Sequence, residues 1–531
     1  MKSEQKLQVL LEMRPALDGY AGIPQETRLL FRGLCMIDSV EVEGLLQTSL
    51  RFLASGMTEK RQAGTEPAES ARLHRYSRVI VSMDSKPSKE PLDVVMLYLK
   101  RRRAAYALTF STLLPGLRKV KTSVFESRYF EDYIWQALFA KTLHAADFAL
   151  VTAKNYRVCT VPWNILQSAG LNSLKFVSKL VYPILDTQGT DIFIAQTPYP
   201  ARVDPNTALV VRYHDALPVF MPHAFANKAR HQATHFHALR SNVQSGAYFA
   251  CVSESTRQDL LRIFPEAADR TVTIHNMVSH HFYDEDSSAG RIPQVIRSRL
   301  NLQAPEAHPE FRGLSEQEHF YKQHLDEQPV KYLLMVSTIE PRKNHSRLIA
   351  AWEIIRAEVD PSLKLVIVGN LGWDVEPIMK EMRTWIDRGA LFVLNSVPAA
   401  DLRVLYRHAA ATVCPSLAEG FDFSGVESMC SGGVAIASDI AVHREVYANA
   451  SEYFEPHSTV SLVGAIKKVL YDPHASQVQE ELRARGKEVS LRYSPDTILP
   501  QWELFLKRVA NSEKVTDVLS TAGDLQSMGA K

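Results

Sequence analysis

Short, nearly uninterrupted apolar runs alternate along this chain with longer stretches whose apolar positions recur at three- and four-residue spacing. That rhythm is the sign of strands and helices in βαβ units, which pair into parallel sheets. In the first half the runs predict strands at 7–13 (LQVLLEM), 147–153 (DFALVTA), 191–196 (DIFIAQ), 208–214 (ALVVRYH), 248–253 (YFACVS) and 271–276 (TVTIHN). A second set is predicted at 331–338 (KYLLMVST), 364–370 (KLVIVGN), 390–396 (ALFVLNS), 411–416 (ATVCPS) and 433–438 (GVAIAS). The pattern therefore predicts an α/β protein with two open sheets.

Between the two sets, residues 279–330 are polar, charged and weakly periodic, and read as an interdomain connection carrying an insertion. Residues 51–75 read as another loose insertion, the last ~20 residues lack a core pattern and are expected to fray, and no internal repeat is visible.

Composition narrows the class without naming a partner. With 531 residues, 46% of them apolar, the chain is long enough to bury large cores in two or three domains. A net charge of +2 supplies no field that would call for nucleic acid. The five cysteines, Cys35, Cys159, Cys251, Cys414 and Cys430, form no C-x-x-C pair, which argues against a disulfide framework or zinc knuckle and for a reducing cytosol. The polar, charge-interrupted start MKSEQKLQVLLEM is not a signal peptide, and no later run reaches ~18 apolar residues, so the expectation is a cytoplasmic protein, soluble or peripheral to the inner membrane. Segments 98–125 and 173–185 mix basic clusters with aromatic and aliphatic residues. Such a pattern belongs either to a surface lying on an anionic membrane or to a core helix with a solvated basic face.

The most informative stretch is CPSLAEGFDFSGVESMCSGG, residues 414–433. It reads as a strand end, a loop and a helix start, with Glu419 in the loop and Glu427 eight positions later on the helix. Backbone amides around Phe423, Ser424, Gly425 and Val426 are expected to face an anion such as a diphosphate. The two carboxylates flank that position, suited to hydroxyls of a sugar ring and a ribose. The stretch resembles the retaining glycosyltransferases of family 4, on Pro415, Ser416, Glu419, Gly420, Phe421, Glu427, Met429 and Gly432. The resemblance implies that Glu419 contacts the transferred sugar and Glu427 the ribose; Asp422 and Ser424 stand where many members carry Gly and Pro.

A second constellation, VSTIEPRKNHSRLIAAW at 336–352, presents Arg342 and Lys343 after a strand and before an amphipathic helix with Leu348, Ile349 and Trp352 inward. Two cations there suit a diphosphate leaving group. Lys343-Asn344 is similar to the family's phosphate-binding pair, and Arg342 stands in for an arginine that many members carry nearer Thr338. In a third, RYHDALPVFMPH at 212–223, His214 and Asp215 match a His-Asp pair that faces the donor from the N-terminal domain. Gly22, in the loop after the first strand, matches the family's glycine loop beside donor or acceptor. The run 249–265 offers Ser253 or Ser255 as a helix cap. His231, His235 and His237, and the acidic run Asp284-Glu285-Asp286, are discounted as metal sites for want of a completing ligand or a strand-end position.

The resemblance implies a GT-B fold: two facing, doubly wound Rossmann-like domains and a C-terminal helix, LPQWELFLKRV at 499–509, that crosses back. The expected limits are 1–280 for the acceptor-side domain with an insertion around 50–145, 281–330 for the connection, 331–485 for the donor-binding domain, 486–512 for the crossover helix and 513–531 for a disordered tail. His214, Glu419, Arg342 and Lys343 are the expected catalytic residues, with Gly22, Asp422, Phe423, Ser424, Gly425, Val426 and Glu427 around the donor. The expected partners are a nucleotide diphosphate sugar and a glycan or lipid-linked acceptor, with neither metal nor cofactor. TIEPRKN, EGFDFSG and SDIAVHREV look most like bacterial mannosyl- and rhamnosyltransferases of polysaccharide assembly, favouring a GDP-linked hexose; UDP and dTDP donors stay open. A nucleotide-sugar epimerase would release a changed sugar without acceptor, and a non-catalytic scaffold of the same fold would bind no nucleotide sugar.

Overall fold

The computed structural model describes residues 6–17, 19, 22–57, 69–84, 90–114, 119–301, 304–325 and 330–516. Its first sheet runs through β1 (Leu7–Glu12), β2 (Val40–Leu46), β3 (Thr122–Phe125), β4 (Tyr156–Cys159), β5 (Ile192–Ala195), β6 (Ala208–Tyr213), β7 (Tyr248–Cys251) and β8 (Thr271–Thr273) in the spatial order β3-β4-β2-β1-β5-β6-β7-β8. Every pairing is parallel except β3 on β4 at the edge. The second sheet, all parallel, is β9 (Tyr332–Val336), β10 (Lys364–Val368), β11 (Leu391–Leu394), β12 (Ala411–Cys414), β13 (Ala435–Ser438) and β14 (Ser451–Phe454) in the order β11-β10-β9-β12-β13-β14. Relabelled from its first strand, that order is 3-2-1-4-5-6, the doubly wound arrangement, whose crevice opens where the order reverses between β9 and β12. Apart from β2, β3 and β14, where partly exposed residues interrupt the buried ones, most of the strands are buried on both faces, which is why they read as unbroken apolar runs rather than alternating ones.

Four strands escape the sequence reading, and one predicted strand is a helix. DFALVTA folds as a 3-10 turn, Ala145–Asp147, and a short helix, Phe148–Thr152, against the helix Ile23–Cys35. A short apolar run does not by itself distinguish a buried strand from a buried helix; β4, a few residues later, takes the place beside β2. Part of the 51–75 insertion, residues 58–68, lies outside the described residues, as do 115–118 and 517–531.

Residues 279–301 and 304–325 pack into the second domain. Phe282, Ile292, Val295, Ile296, Leu300, Tyr321 and Leu325 join the core of that sheet, and the run Asp284-Glu285-Asp286 is tied to it by Arg407 on Asp284 and Arg403 on Glu285. The helix Ala475–Leu491 packs on Phe423–Cys430, so the chain breaks at 492–494 rather than near 486. Pro495–Ala510 then crosses to the first domain, where Ile498, Trp502, Phe505, Leu506 and Val509 enter its core. Buried Val515 follows them and donates its N–H to the Asp269 carbonyl at 3.1 Å. Among the described residues no helix is long and apolar enough to cross a membrane.

Polar contacts hold the domains face to face. Ser253 caps the helix Glu254–Ile263 through its Oγ and the Thr256 N–H. The remaining N-terminal amides, of Glu254 and Ser255, donate at 2.6 and 2.9 Å to Glu445 of the other domain. An anion at a helix N-terminus is favoured by the aligned peptide dipoles. His275 also meets Glu445, at 2.8 Å. Farther out, the Trp373 indole N–H donates to the Ala224 carbonyl at 2.9 Å.

Trp502 is wholly buried in the first domain although its helix follows the second. Trp502→Ala is expected to cost about 3–5 kcal/mol, read as a lower urea midpoint by circular dichroism. Val460→Ala, at a side chain 79% exposed, should shift stability by less than ~0.5 kcal/mol. Equal midpoints for the two variants would contradict the crossover packing.

Candidate active site

The loops after β9 and β12 meet at the switch point of the second sheet. After β9 the chain makes a 3-10 turn, Pro341–Lys343, and passes through Asn344 at φ 63° into the helix His345–Glu358. The Asn344 amide donates to the Pro415 and Pro456 carbonyls at 3.0 and 3.1 Å, tying this loop to the one after β12. Asparagine tolerates the left-handed conformation better than most residues, so a turn and a cross-link are combined in one side chain.

This brings Arg342, Lys343 and Glu419 together. Arg342 donates to Glu419 Oε2 and Glu340 Oε1, both at 2.8 Å, and to the Ala418 carbonyl at 2.6 Å. Lys343 Nζ reaches Glu419 Oε1 at 2.5 Å. Burial by itself raises the Glu419 carboxyl, but the charges of Arg342 and Lys343 outweigh it and hold the group below its ordinary range. Glu419 is thus an ionised carboxylate shared by two cations. Glu340, which sequence reasoning missed, stands two residues before Arg342 and takes part of that charge.

Glu427 differs. It is 4% exposed and accepts from Gln25 Nε2 at 2.7 Å and from the Tyr406 hydroxyl at 3.0 Å. Neither donor is charged, so burial dominates and the carboxyl is pushed up to about 7. Gln25 comes from the first domain, on the helix that begins after Gly22. Gly22 has φ 71°, and a Cβ there would meet nothing within 4 Å, so its glycine serves backbone conformation rather than close approach. Gln25 and Tyr406 were not read from the sequence; nothing in a helix-borne Gln or a Tyr 21 positions before its partner marks them as a pair.

The helix Phe423–Cys430 departs from expectation at its start. Asp422 is its N-cap: Oδ1 accepts the Ser424 N–H at 3.0 Å and the Ser424 hydroxyl at 2.6 Å. The Ser424 amide, expected to face an anion, is therefore taken by the chain's own carboxylate. That follows from an Asp at the residue before the helix, where its carboxylate caps the first turn. His443 faces Asp422 Oδ2 at 3.3 Å. Phe423, Gly425 and Val426 are buried, and a Cβ on Gly425 would lie 2.3 Å from the Tyr447 ring.

Across the cleft, the His214 carbonyl lies 1.7 Å from where a Cβ on Gly420 would be built. The Thr256 hydroxyl is placed between the His214 and Gly420 carbonyls, at 3.4 and 3.5 Å. His214 Nε2 is shut off from solvent without a hydrogen-bond partner. Burial, with the charge of Arg212 behind it, drives the imidazole well below its ordinary pKa and keeps it neutral. Burial raises the Asp215 carboxyl, with Arg342 opposing.

Among the described residues, a single group of three metal-ligand side chains gathers, Asp147, His280 and His281, within 4.8 Å of one another. It joins the turn Ala145–Asp147 to the segment after β8, and Arg32 occupies Asp147 Oδ1 at 2.7 Å. The discounted histidines are otherwise engaged: His235 meets the Tyr213 hydroxyl at 3.3 Å and His231 stacks on Phe225.

Two tests follow from this geometry. Glu427 holds its proton to a higher pH folded than unfolded, so its protonation costs no stability at or below its ordinary value of 4.5, and stability falls as pH rises from there to about 7 and then levels off. The difference should amount to about 3 kcal/mol, and Glu427→Gln should flatten urea midpoints across that window; an unchanged slope would refute the raised pKa. Gly420→Ala should force the seam apart and enlarge the radius of gyration in small-angle scattering, whereas an unchanged radius would contradict the close approach.

The family described as glycosyl transferases group 1 matches residues 316–489, which hold Arg342, Lys343, Glu419 and Glu427. The serotype-specific mannosyltransferase WbdA of Escherichia coli is 25% identical over 283 residues, covering 53% of this chain and 31% of that protein. The O-antigen chain mannosyltransferase B of Escherichia coli is 24% identical over 278 residues, 52% of this chain and 63% of that one. The chain thus spans under two thirds of these relatives' length. In fold it is similar to the sucrose-phosphate synthase of Thermosynechococcus elongatus, with a TM-score of 0.55 at 14% identity over 96% of this chain and 100% of that one. The chain therefore carries a glycosyl transferases group 1 domain on a two-domain GT-B fold and resembles bacterial mannosyltransferases.

Proposed function

We propose that this protein is a retaining glycosyltransferase of family 4 that moves a hexosyl group, mannosyl in preference, from a GDP-linked donor to a glycan or lipid-linked acceptor in polysaccharide synthesis. The observation that carries this reading is the meeting of Arg342, Lys343 and Glu419 at the switch point, opposite a neutral His214 whose Nε2 lacks a partner. The names of the relatives support mannose as the sugar. Five unpaired cysteines fit a reducing compartment such as the cytoplasm, where nucleotide sugars would be met.

In this mechanism a donor exchanges partners with the protein. Its diphosphate replaces Glu419 as the anion on Arg342 and Lys343, and the two cations hold the charge that grows as the bond between the sugar's anomeric carbon and the diphosphate breaks. Glu419, released, accepts from sugar hydroxyls, and Glu427, released by Gln25, accepts from the ribose. His214 offers a neutral imidazole to a sugar hydroxyl. The acceptor hydroxyl bonds to the anomeric carbon on the face the diphosphate leaves, and its proton passes to the departing phosphate oxygen. Arg342 and Lys343 supply the positive charge, so no metal is required. Because Gln25 belongs to the other domain, donor binding is coupled to opening of the cleft and its closure to exclusion of water.

Thermal shift with GDP, UDP and dTDP in EDTA, beside Lys343→Ala and Glu427→Ala, tests this. GDP should stabilise the wild type most and bind at least ~10-fold more weakly to each variant, about 1.4 kcal/mol or more. With an α-linked donor, NMR of the product should show an α linkage. Stabilisation by no nucleotide would overturn the reading, and a β linkage would overturn retention.

A further inference from the structure

The first domain holds a recess of about 1030 Å³ that opens from His214 and Asp215 toward the helices Pro91–Leu113 and Trp163–Ser173. Its lining is unbalanced in charge. Arg14, Arg101, Arg102, Lys175 and Arg230 face it, and Asp215 is the one carboxylate among the described lining residues. Arg14 is neutralised by Glu12 at 2.7 Å. The other four cations form no ion pair among the described residues: Arg101 donates to the Leu50 carbonyl at 3.1 Å, Lys175 to the Tyr106 hydroxyl at 2.9 Å, and Arg102 meets the Tyr98 and Tyr106 hydroxyls. Four like charges around one recess repel one another and lower the free energy of an anion entering it. Arginine forks match phosphate oxygens in particular.

The rim indicates how such an anion arrives. The Pro91–Leu113 helix is anchored by its second half, where Ala105 and Thr109 are buried and the Thr109 hydroxyl reaches the Ala169 carbonyl at 3.2 Å. Its first half stands clear, with Leu92 71% and Met96 60% exposed beside exposed Val94, Val95 and Leu99. Exposed Phe110, on the same helix, and exposed Phe176, next to Lys175 in the chain, add apolar surface, their ring centroids 5.1 Å apart. Lys100, Arg101, Arg102 and Arg103 follow directly on the helix. A water-soluble phosphate needs no such rim, whereas apolar side chains beside a basic cluster fit a bilayer surface from which a lipid-borne phosphate projects.

We propose that this recess binds the phosphate or diphosphate of a lipid-borne acceptor through Arg101, Arg102, Lys175 and Arg230, with the first half of Pro91–Leu113 resting on the bilayer surface. The proposal deepens the glycosyl-transfer reading, since it makes the recess the acceptor side of that site. It leads to His214 and Asp215, so a sugar carried on the bound phosphate faces the cleft.

The test uses the full chain in the Lys343→Ala background, which removes a donor-side cation. Inorganic pyrophosphate should raise Tm, and adding Arg101→Glu and Arg102→Glu should weaken its binding at least ~10-fold. Neutral phosphatidylcholine vesicles carrying a few per cent polyprenyl diphosphate should sediment the parent. They should release both that charge-reversed protein and a Leu92→Ser, Met96→Ser protein, the latter keeping its pyrophosphate affinity. Pyrophosphate binding unaltered by charge reversal would overturn the anion site. Retained pyrophosphate binding without vesicle binding would overturn the lipid-borne source and leave a soluble phosphate. Vesicles with phosphatidylglycerol in place of polyprenyl diphosphate distinguish general charge attraction: equal sedimentation there would also overturn the acceptor assignment. Failure of nucleotides to stabilise the wild type, with these results intact, would sink the transferase reading and not the anion site.

Discussion

The carbonyl oxygen of His214 lies where a side chain on residue 420 would begin, and this approach of two backbones governs how the two halves of the molecule meet. Only a residue without Cβ lets the loop after β12 settle against the loop after β6. Once it does, the His214 ring, Arg342, Lys343 and Glu419 share one seam. The Glu445 carboxylate on the helix amides of Glu254 and Ser255 acts at a second point of the same interface. Two contacts at different places resist rotation as one would not.

Closing that seam requires the buried charges to be met from within. Glu419 is compensated by two cations and stays ionised; Glu427, offered only the Gln25 amide and the Tyr406 hydroxyl, is driven toward neutrality. The two carboxylates are eight positions apart in sequence and differ in protonation because one faces cations and the other faces neutral donors. Each has its hydrogen bonds filled by protein groups, which keeps the closed form free of a stranded buried charge. The proposed donor would have to offer equivalent partners: phosphate oxygens for the cations, hydroxyls for the carboxylates.

The second domain is a nearly minimal doubly wound sheet, whereas the first has been elaborated. β3 extends its edge in the antiparallel sense, and Pro91–Leu113 leaves the domain for half its length. An exposed apolar helix end costs free energy in water unless something covers it, and the unpaired cations beside it make the same surface electropositive. These features lie outside residues 316–489, the part of the chain that matches the glycosyl transferases group 1 family.

The sequence alone determined what depends on local pattern. Runs such as KYLLMVST and KLVIVGN announce central parallel strands because both faces are buried. The spacing of Glu419 and Glu427, with Arg342-Lys343 after an earlier strand, marked the switch-point loops before any coordinates. Tertiary structure decided what depends on distant partners. DFALVTA became helical because β4 supplied the strand beside β2, and the Ser424 amide was taken by Asp422 once the helix capped itself. Gln25 reached Glu427 across 402 residues, which no local window contains. The recess cations come from three segments of the chain, so their lack of carboxylate partners among the described residues appears only when the chain is folded. Periodicity and motif spacing record each segment's own burial and turn chemistry; protonation, pairing and charge balance are set by what packing brings within a few ångströms.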